Sequence, residues 1–277
     1  MNFLGLDDFL KEALREDIGT GDITTEACVP ESAVSRGEFR AKASGVVCGT
    51  DVLRRVFALL DARVSVTVLI CDGGHVEKGG VIAKIEGPSR SILTGERVAL
   101  NLLQHMSGIA TAAAEAAEAV KGTGASIADT RKTTPGMRVL EKYAVKTGGG
   151  SNHRFNLSDG VLIKDNHISA AGGIKNAVAA VRGNIPHTLK VEVETETLEM
   201  VEEALEAGAD IIMLDNMTVP QMKEAVALIA GRALTEASGN MGERDLREVA
   251  ETGVDIISIG ALTHTVKALD ISLKFVK

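Results

Sequence analysis

Two phrases of this 277-residue chain nearly repeat each other, AGADIIML at 207–214 and TGVDIISI at 252–259. Each closes a helical pattern with Gly and opens an apolar run with Asp, which makes each the joint of a helix-to-strand unit. Further apolar runs stand at SIAD, GVLIK, TLKVEV and RALTEA, with the helical patterns LEMVEEALEAG, VPQMKEAVALIAG and ERDLREVAETG between or beside the later ones. A chain that alternates in this way is confined to a parallel sheet with crossover helices. Six strands are readable, which favours a barrel over an open doubly wound sheet, and no GxGxxG opens the first turn.

The first 105 residues or so have no such rhythm. A short acidic amphipathic helix is followed by the turn-rich EDIGTGDITTE, by glycine-broken strands in RGEFRAKASGVVCG, and by strand, tight turn and strand in VSVTVLICDGGHVEKGGVIAKIEG. This half reads as an α/β sandwich, and an Ala-rich helix from Thr94 is long enough to join two domains. The expected organisation is α/β: an N-terminal α/β sandwich with its linker helix over 1–108, then an incomplete (β/α) TIM-like barrel over 109–277. A C-terminal helix packing back on the N-terminal domain completes that expectation.

The formal charge of −8 and an aromatic content of 3% argue against a nucleic-acid partner. No apolar run approaches the roughly 20 residues that a membrane span needs. The cysteines Cys28, Cys48 and Cys71 form no CxxC pair, so neither a disulfide framework nor a zinc site is expected, and a reducing, cytoplasmic setting fits.

Against this acidity, residues 129–167 hold seven Lys and Arg to four Asp and Glu, around the run Gly148-Gly149-Gly150. Cations grouped at glycine turns suit a grip on small, multiply anionic substrates. On the barrel frame, Arg131 and Lys132 follow the SIAD strand and Lys164 closes the GVLI strand. Glu194, Asp215, Ser238 and Gly260 end the next four strands at spacings of 21, 23 and 22 residues. A barrel gathers its site from such strand ends. His153 and Arg154 would join Arg131, Lys132 and Lys164 in holding carboxylates or phosphates. Glu194 and Asp215 leave adjacent strands and suit a divalent magnesium ion, while EASGN and SIGA place Gly where backbone N–H groups can cradle a phosphate.

Duller readings apply elsewhere. Arg138, Lys142 and Lys146 share a helix with Glu141, and their spacing reads as an exposed, solvated face. Glu192 reads as a buried partner of Lys190 or Lys164, and Met106, Met213 and Met217 as core. His75, His105, His187 and His264 receive no role.

The stretch TRKTTPGMRVLEKYAVKTGGGSNHRFNLSDGVLIKDNHI resembles the central signature of the quinolinate phosphoribosyltransferases. EDIGTGDITTE, ERVALNLLQHMSGIAT, VEVET, MLDNM, EASGN and ISIGALTHTVKALDISLK resemble further motifs of that family, in its order. The resemblance implies reaction of quinolinate with phosphoribosyl pyrophosphate to nicotinate mononucleotide, pyrophosphate and carbon dioxide in NAD biosynthesis, with Mg2+. It also implies a homodimer or multiple of dimers in which Arg97 reaches the neighbouring subunit's site. Thr130, Arg131, His153, Arg154 and Lys164 match substrate-pocket positions, and Lys132 lies where both substrates meet. Glu194 and Asp215 match the acids facing ribose and magnesium pyrophosphate. Ser238, Gly239 and Asn240, with Gly260 and Ala261, match the 5′-phosphate loops. Leu102, His105, Thr265 and the MGERDL loop depart mildly from the pattern.

Overall fold

The computed structural model describes residues 4–276. Among them the strands run β1 (Val34–Ala41), β2 (Gly45–Val46), β3 (Ser65–Val68), β4 (His75–Val76), β5 (Val81–Pro88), β6 (Ser126–Ala128), β7 (Val161–Ile163), β8 (Val191–Thr195), β9 (Ile211–Asp215), β10 (Leu234–Ser238), β11 (Ile256–Ser258) and β12 (Ile271–Val276). The chain divides into two compact units, Met1–Ala112 with Val266–Lys277, and Ala113–Thr265.

The first unit is built on an antiparallel sheet of order β12-β1-β5-β3. Phe39 and Ala41 on β1 and Ala83 and Ile85 on β5 are buried. The helix Thr50–Leu60 buries Val52, Leu53, Val56 and Phe57, the i, i+3, i+4 pattern of an amphipathic helix. Its Phe57 ring lies 6.3 Å from that of Phe39, tilted by 55°. The helix Leu6–Ile18 adds Leu6, Leu10 and Leu14, one per turn, and stops at Gly19. The linker helix starts earlier than its composition indicates and runs Ser89–Ala119.

The C-terminal segment differs from the expected helix and from the expected second-domain range. ISLKFV is a strand, paired along its length with β1. Its Ile271 and Leu273 are buried while Ser272 and Lys274 are not, a period of two that a sheet satisfies and a helix does not.

The second unit carries six parallel strands in the order β6-β11-β10-β9-β8-β7. β6 and β7 are its two edges and do not pair with each other, which leaves the barrel incomplete. Ser151 makes a single parallel bridge to Ala128 beside that gap. Alternation along the strands separates two faces. Val191, Val193, Ile212, Leu214, Ala237 and Ile257 are fully buried apolar residues. The residues between them, Glu192 and Glu194, Met213 and Asp215, Glu236 and Ser238, line cavities. Threonines cap the intervening helices: the Thr197 hydroxyl accepts the Met200 N–H, and Thr218 forms a capping box with Gln221.

Candidate active site

A cavity of about 500 Å³ opens at the C-terminal ends of the six strands. It is lined by Thr130, Arg131, Lys132, His153, Arg154 and Lys164 on one side and by Glu194, Asp215, Ser238, Gly239 and Asn240 on the other. Three cation-bearing segments, following β6, crossing the gap and ending β7, thus meet the acids of β8 and β9. Arg97 lies exposed on the linker helix of the first unit. Gly260 and Ala261 do not line the cavity. A Cβ on Gly260 would sit 3.0 Å from the Lys132 side chain, so this glycine provides clearance for the lysine. Thr263, in the one-turn helix that follows, donates to the Lys132 carbonyl at 2.8 Å.

The cations are held with donors to spare. Arg154 donates to the Gly160 carbonyl at 2.9 Å, and burial followed by the nearby Arg131 charge pulls its pKa down. Arg131 Nε is buried with no hydrogen-bond partner in the protein. Two mutually repelling guanidiniums, one with an open donor, make a place for an anion with two charges. Lys164 Nζ sits 3.0 Å from Glu194 Oε2. Asp215 Oδ2 accepts the Asn216 side-chain N–H at 2.6 Å.

Asn216, Gly239 and Asn240 have φ of 55°, 94° and 52°. All three line the cavity, in a backbone region that non-glycine residues seldom adopt. A Cβ on Gly239 would fall 2.3 Å from Asn216 Oδ1, so only glycine fits beside that amide.

His153 stands at the cavity floor among carboxylates. Its Nδ1 accepts the Arg154 N–H at 2.8 Å, and its Nε2 lies 3.1 Å from Glu192 Oε2 and 3.7 Å from Glu236 Oε1. Glu192 therefore pairs with His153 rather than with Lys190 or Lys164. Burial opposes a charged ring, but the Glu192 hydrogen bond and the Glu236 charge outweigh it and raise the His153 pKa. A second proton on Nδ1 would cost the Arg154 bond. Burial, then the Glu192 charge, pushes Glu236 up to about 7. His153, Arg154 and Glu236 also line a second cavity of about 470 Å³, together with Ile211 and Ile256 from the opposite strand ends. They form the partition between the two cavities.

Among the described residues, His153, Glu192 and Glu236 bring one ligand atom each within 4.8 Å of one another, a cluster that could hold a divalent ion. Glu192 Oε1 and Glu236 Oε1 are buried acceptors without a hydrogen-bond donor, which fits a cation or a donor there. The His153 nitrogen fits less well: with Nδ1 accepting an N–H, the ring hydrogen sits on Nε2, where a metal would need a lone pair. Glu194 and Asp215 offer only carboxylate oxygens, the ligand type that magnesium prefers.

The presumed solvated helix face is not one. Lys142 is fully buried in an ion pair with Asp129, and Arg138 is half-buried, donating to the Phe155 carbonyl at 3.0 Å and to Thr133 Oγ1 at 2.9 Å. Lys146 is exposed as expected. Sequence reasoning passed over Asn216 and Glu236, although both lie within motifs it singled out, MLDNM and EASGN.

Fold and pocket together define the class: a (β/α) barrel enzyme with a site for multiply anionic substrates. Residues 22–107 match the family described as "Quinolinate phosphoribosyl transferase, N-terminal domain", and residues 109–274 match its C-terminal domain. A "Probable nicotinate-nucleotide pyrophosphorylase [carboxylating]" of Bacillus subtilis is 46% identical over 99% of this chain and 94% of its own. The crystal structure of NadC from Streptococcus pyogenes superposes with a TM-score of 0.92 at 44% identity, covering all of both chains. That of the nicotinate-nucleotide pyrophosphorylase from Ehrlichia chaffeensis gives 0.95 at 38% identity, again over both whole chains. The chain belongs to the quinolinate phosphoribosyltransferase family.

Proposed function

We propose that this chain transfers phosphoribosyl from phosphoribosyl pyrophosphate to quinolinate with decarboxylation. The products are nicotinate mononucleotide, pyrophosphate and carbon dioxide, a step of de novo NAD synthesis. The observation that carries the reading is the pairing of Arg131, whose Nε has no protein partner, with the half-buried Arg154 on one wall of the strand-end cavity. Quinolinate carries two adjacent carboxylates, and several converging cations neutralise and orient it better than they would a single carboxylate.

In this account Arg131, Arg154 and Lys164 hold the carboxylates, with Thr130 beside them and His153 shaping the floor. Arg97 comes from the other subunit of a homodimer or multiple of dimers. Lys132 stands between the two substrates. Ser238, Gly239 and Asn240 receive the 5′-phosphate through backbone and side-chain donors, while Gly260 and Ala261 act from behind Lys132. Glu194 and Asp215 face the ribose, where carboxylate charge stabilises an oxocarbenium-like C1 as the pyrophosphate departs. They are also the residues that would hold Mg2+, which supplies charge neutralisation for the leaving pyrophosphate. The ring nitrogen attacks C1 and pyrophosphate leaves. The adjacent carboxylate then departs as carbon dioxide, and the electron pair left on its ring carbon, stabilised by the neighbouring pyridinium, takes up a proton from solvent. No protein nucleophile is required, so positioning and electrostatics supply the rate.

No helix among the described residues is long and apolar enough to cross a membrane. Cys28, Cys48 and Cys71 form no disulfide, which supports a reducing, cytoplasmic setting. The reading is tested by comparing kcat/KM for quinolinate and nicotinate with Mg2+ and phosphoribosyl pyrophosphate. A preference for quinolinate of about 100-fold or more is expected; equal use of both acids, or use of nicotinate alone, would refute it.

A further inference from the structure

Asp129 and Lys142 are both fully buried, and neither lines the cavity. Their contacts converge on one residue of the site. Asp129 Oδ1 accepts both the Lys142 ammonium and the backbone N–H of His153, the latter at 2.9 Å. Lys142 Nζ also donates to the His153 carbonyl at 2.9 Å. The two peptide groups flanking His153 are therefore held by the two members of one ion pair. Asn152 closes the arrangement, its amide donating to Asp129 Oδ2 at 2.6 Å and to the Lys142 carbonyl at 2.8 Å. The Lys142 ammonium lies 5.1 Å from the centre of the Phe155 ring, and Arg138, one turn earlier on the helix Arg138–Thr147, holds the Phe155 carbonyl.

Such a pair is an expensive way to fill a core. Burial drives the Asp129 carboxyl up and the Lys142 ammonium down, against the bond between them. Apolar residues of similar volume often serve stability as well or better. What apolar residues cannot do is fix a peptide N–H and a peptide carbonyl at once with charge-assisted bonds. The place where this happens is informative. Asp129 directly follows β6 and directly precedes Thr130, Arg131 and Lys132, while His153 directly precedes Arg154. A single carboxylate thus joins the two cation-bearing segments of the grip.

We propose that Asp129 and Lys142 are positioning residues that set the separation between Arg131 and Arg154, matching it to two carboxylates on neighbouring ring atoms. The proposal rests on the quinolinate reading and adds to it a determinant of dicarboxylate specificity outside the cavity. Loosening the pair lets Arg154 drift from Arg131, so the second carboxylate loses its partner while the phosphoribosyl side of the pocket is untouched.

The test uses the whole chain, three variants of the pair and its brace, and one control variant. Lys142→Met leaves a buried carboxylate uncompensated and is the variant at risk of misfolding. Asp129→Asn with Lys142→Met removes both charges together and avoids that fault. Asn152→Ala leaves the pair intact but removes its cross-brace. For the double variant, a KM for quinolinate raised about tenfold or more is expected, with the KM for phosphoribosyl pyrophosphate within about twofold of wild type. Its preference for quinolinate over nicotinate should fall by about tenfold, and Asn152→Ala should show the same split at about threefold. Lys146→Met, exposed on the same helix, serves as the control. A folded double variant, or Asn152→Ala if the double variant does not fold, would overturn the proposal if both KM values rise together or neither moves. Wild-type protein that turns over neither acid would remove the underlying reading instead, and is told apart by that result alone.

Discussion

Lys164 Nζ lies 3.0 Å from Glu194 Oε2, so the cation that closes β7 is tied to the acid near the end of β8. The lysine side chain is 46% exposed and the glutamate 13%, which leaves the ammonium free to turn toward a substrate carboxylate. In Glu194→Gln the lysine keeps its charge and loses its competitor. We expect the KM for quinolinate to stay within about threefold while kcat falls by about 100-fold or more, since in the proposed reaction the lost charge faces the developing ribose cation. Steady-state kinetics with both substrates varied measures this. An equal loss in binding alone would place Glu194 in substrate binding rather than in the chemical step.

Glu236 makes a prediction about pH. Its ordinary pKa of 4.5 is raised to about 7 in the folded chain by burial and by the Glu192 charge. Between those values the native state keeps a proton that the unfolded chain has released, so this group's stabilisation is complete at the acid end. It is lost as pH rises toward 7. Replacement by the neutral Gln should flatten the fall in Tm between about pH 5 and pH 7.5 relative to wild type. Thermal unfolding across that range decides it, and an unchanged slope would mean that Glu236 is ionised throughout.

Gly239 tests the acid-side backbone. With φ of 94° and the Asn216 amide 2.3 Å from where a Cβ would stand, Gly239→Ala must displace Asn216 from Asp215. The conformational strain alone is of order 1–3 kcal/mol. A rise of about tenfold in the KM for phosphoribosyl pyrophosphate should accompany it, with quinolinate binding little changed. Calorimetric titration with each substrate separates the two effects.

Arg97 is expected to act across a subunit boundary. Arg97→Ala and Lys164→Ala enzymes should each be inactive, yet mixing them after reversible dissociation should recover roughly a quarter of the wild-type rate. Half of the reassorted dimers would be mixed, each with one intact site. Absence of recovery would put Arg97 in its own subunit's chemistry or outside the site altogether.

The barrel strands and their ends were readable because each carries an apolar run, two of them opened by the repeated Gly-x-Asp joint, and the regular spacing from Glu194 through Asp215 to Ser238 marks a repeated unit. Lys142 was misread for a physical reason. A cation four residues from Arg138 and next to Glu141 looks solvated whether its face meets water or a carboxylate thirteen positions earlier on another element. Glu192 and Glu236 were obscured in the same way, because strand alternation points them inward but does not say that a loop histidine from the barrel gap fills the space between. The C-terminal strand pairs with β1, more than 200 residues away along the chain, a distance over which local pattern carries no information.

The most direct measurement follows the fate of the quinolinate carboxylate next to the ring nitrogen. With that carboxyl labelled, and with Mg2+ and phosphoribosyl pyrophosphate present, the enzyme should release one labelled carbon dioxide for each mononucleotide and each pyrophosphate formed. Arg154→Ala should lower all three outputs together. Mononucleotide that retains the label, or product formed from nicotinate in preference to quinolinate, would contradict the account.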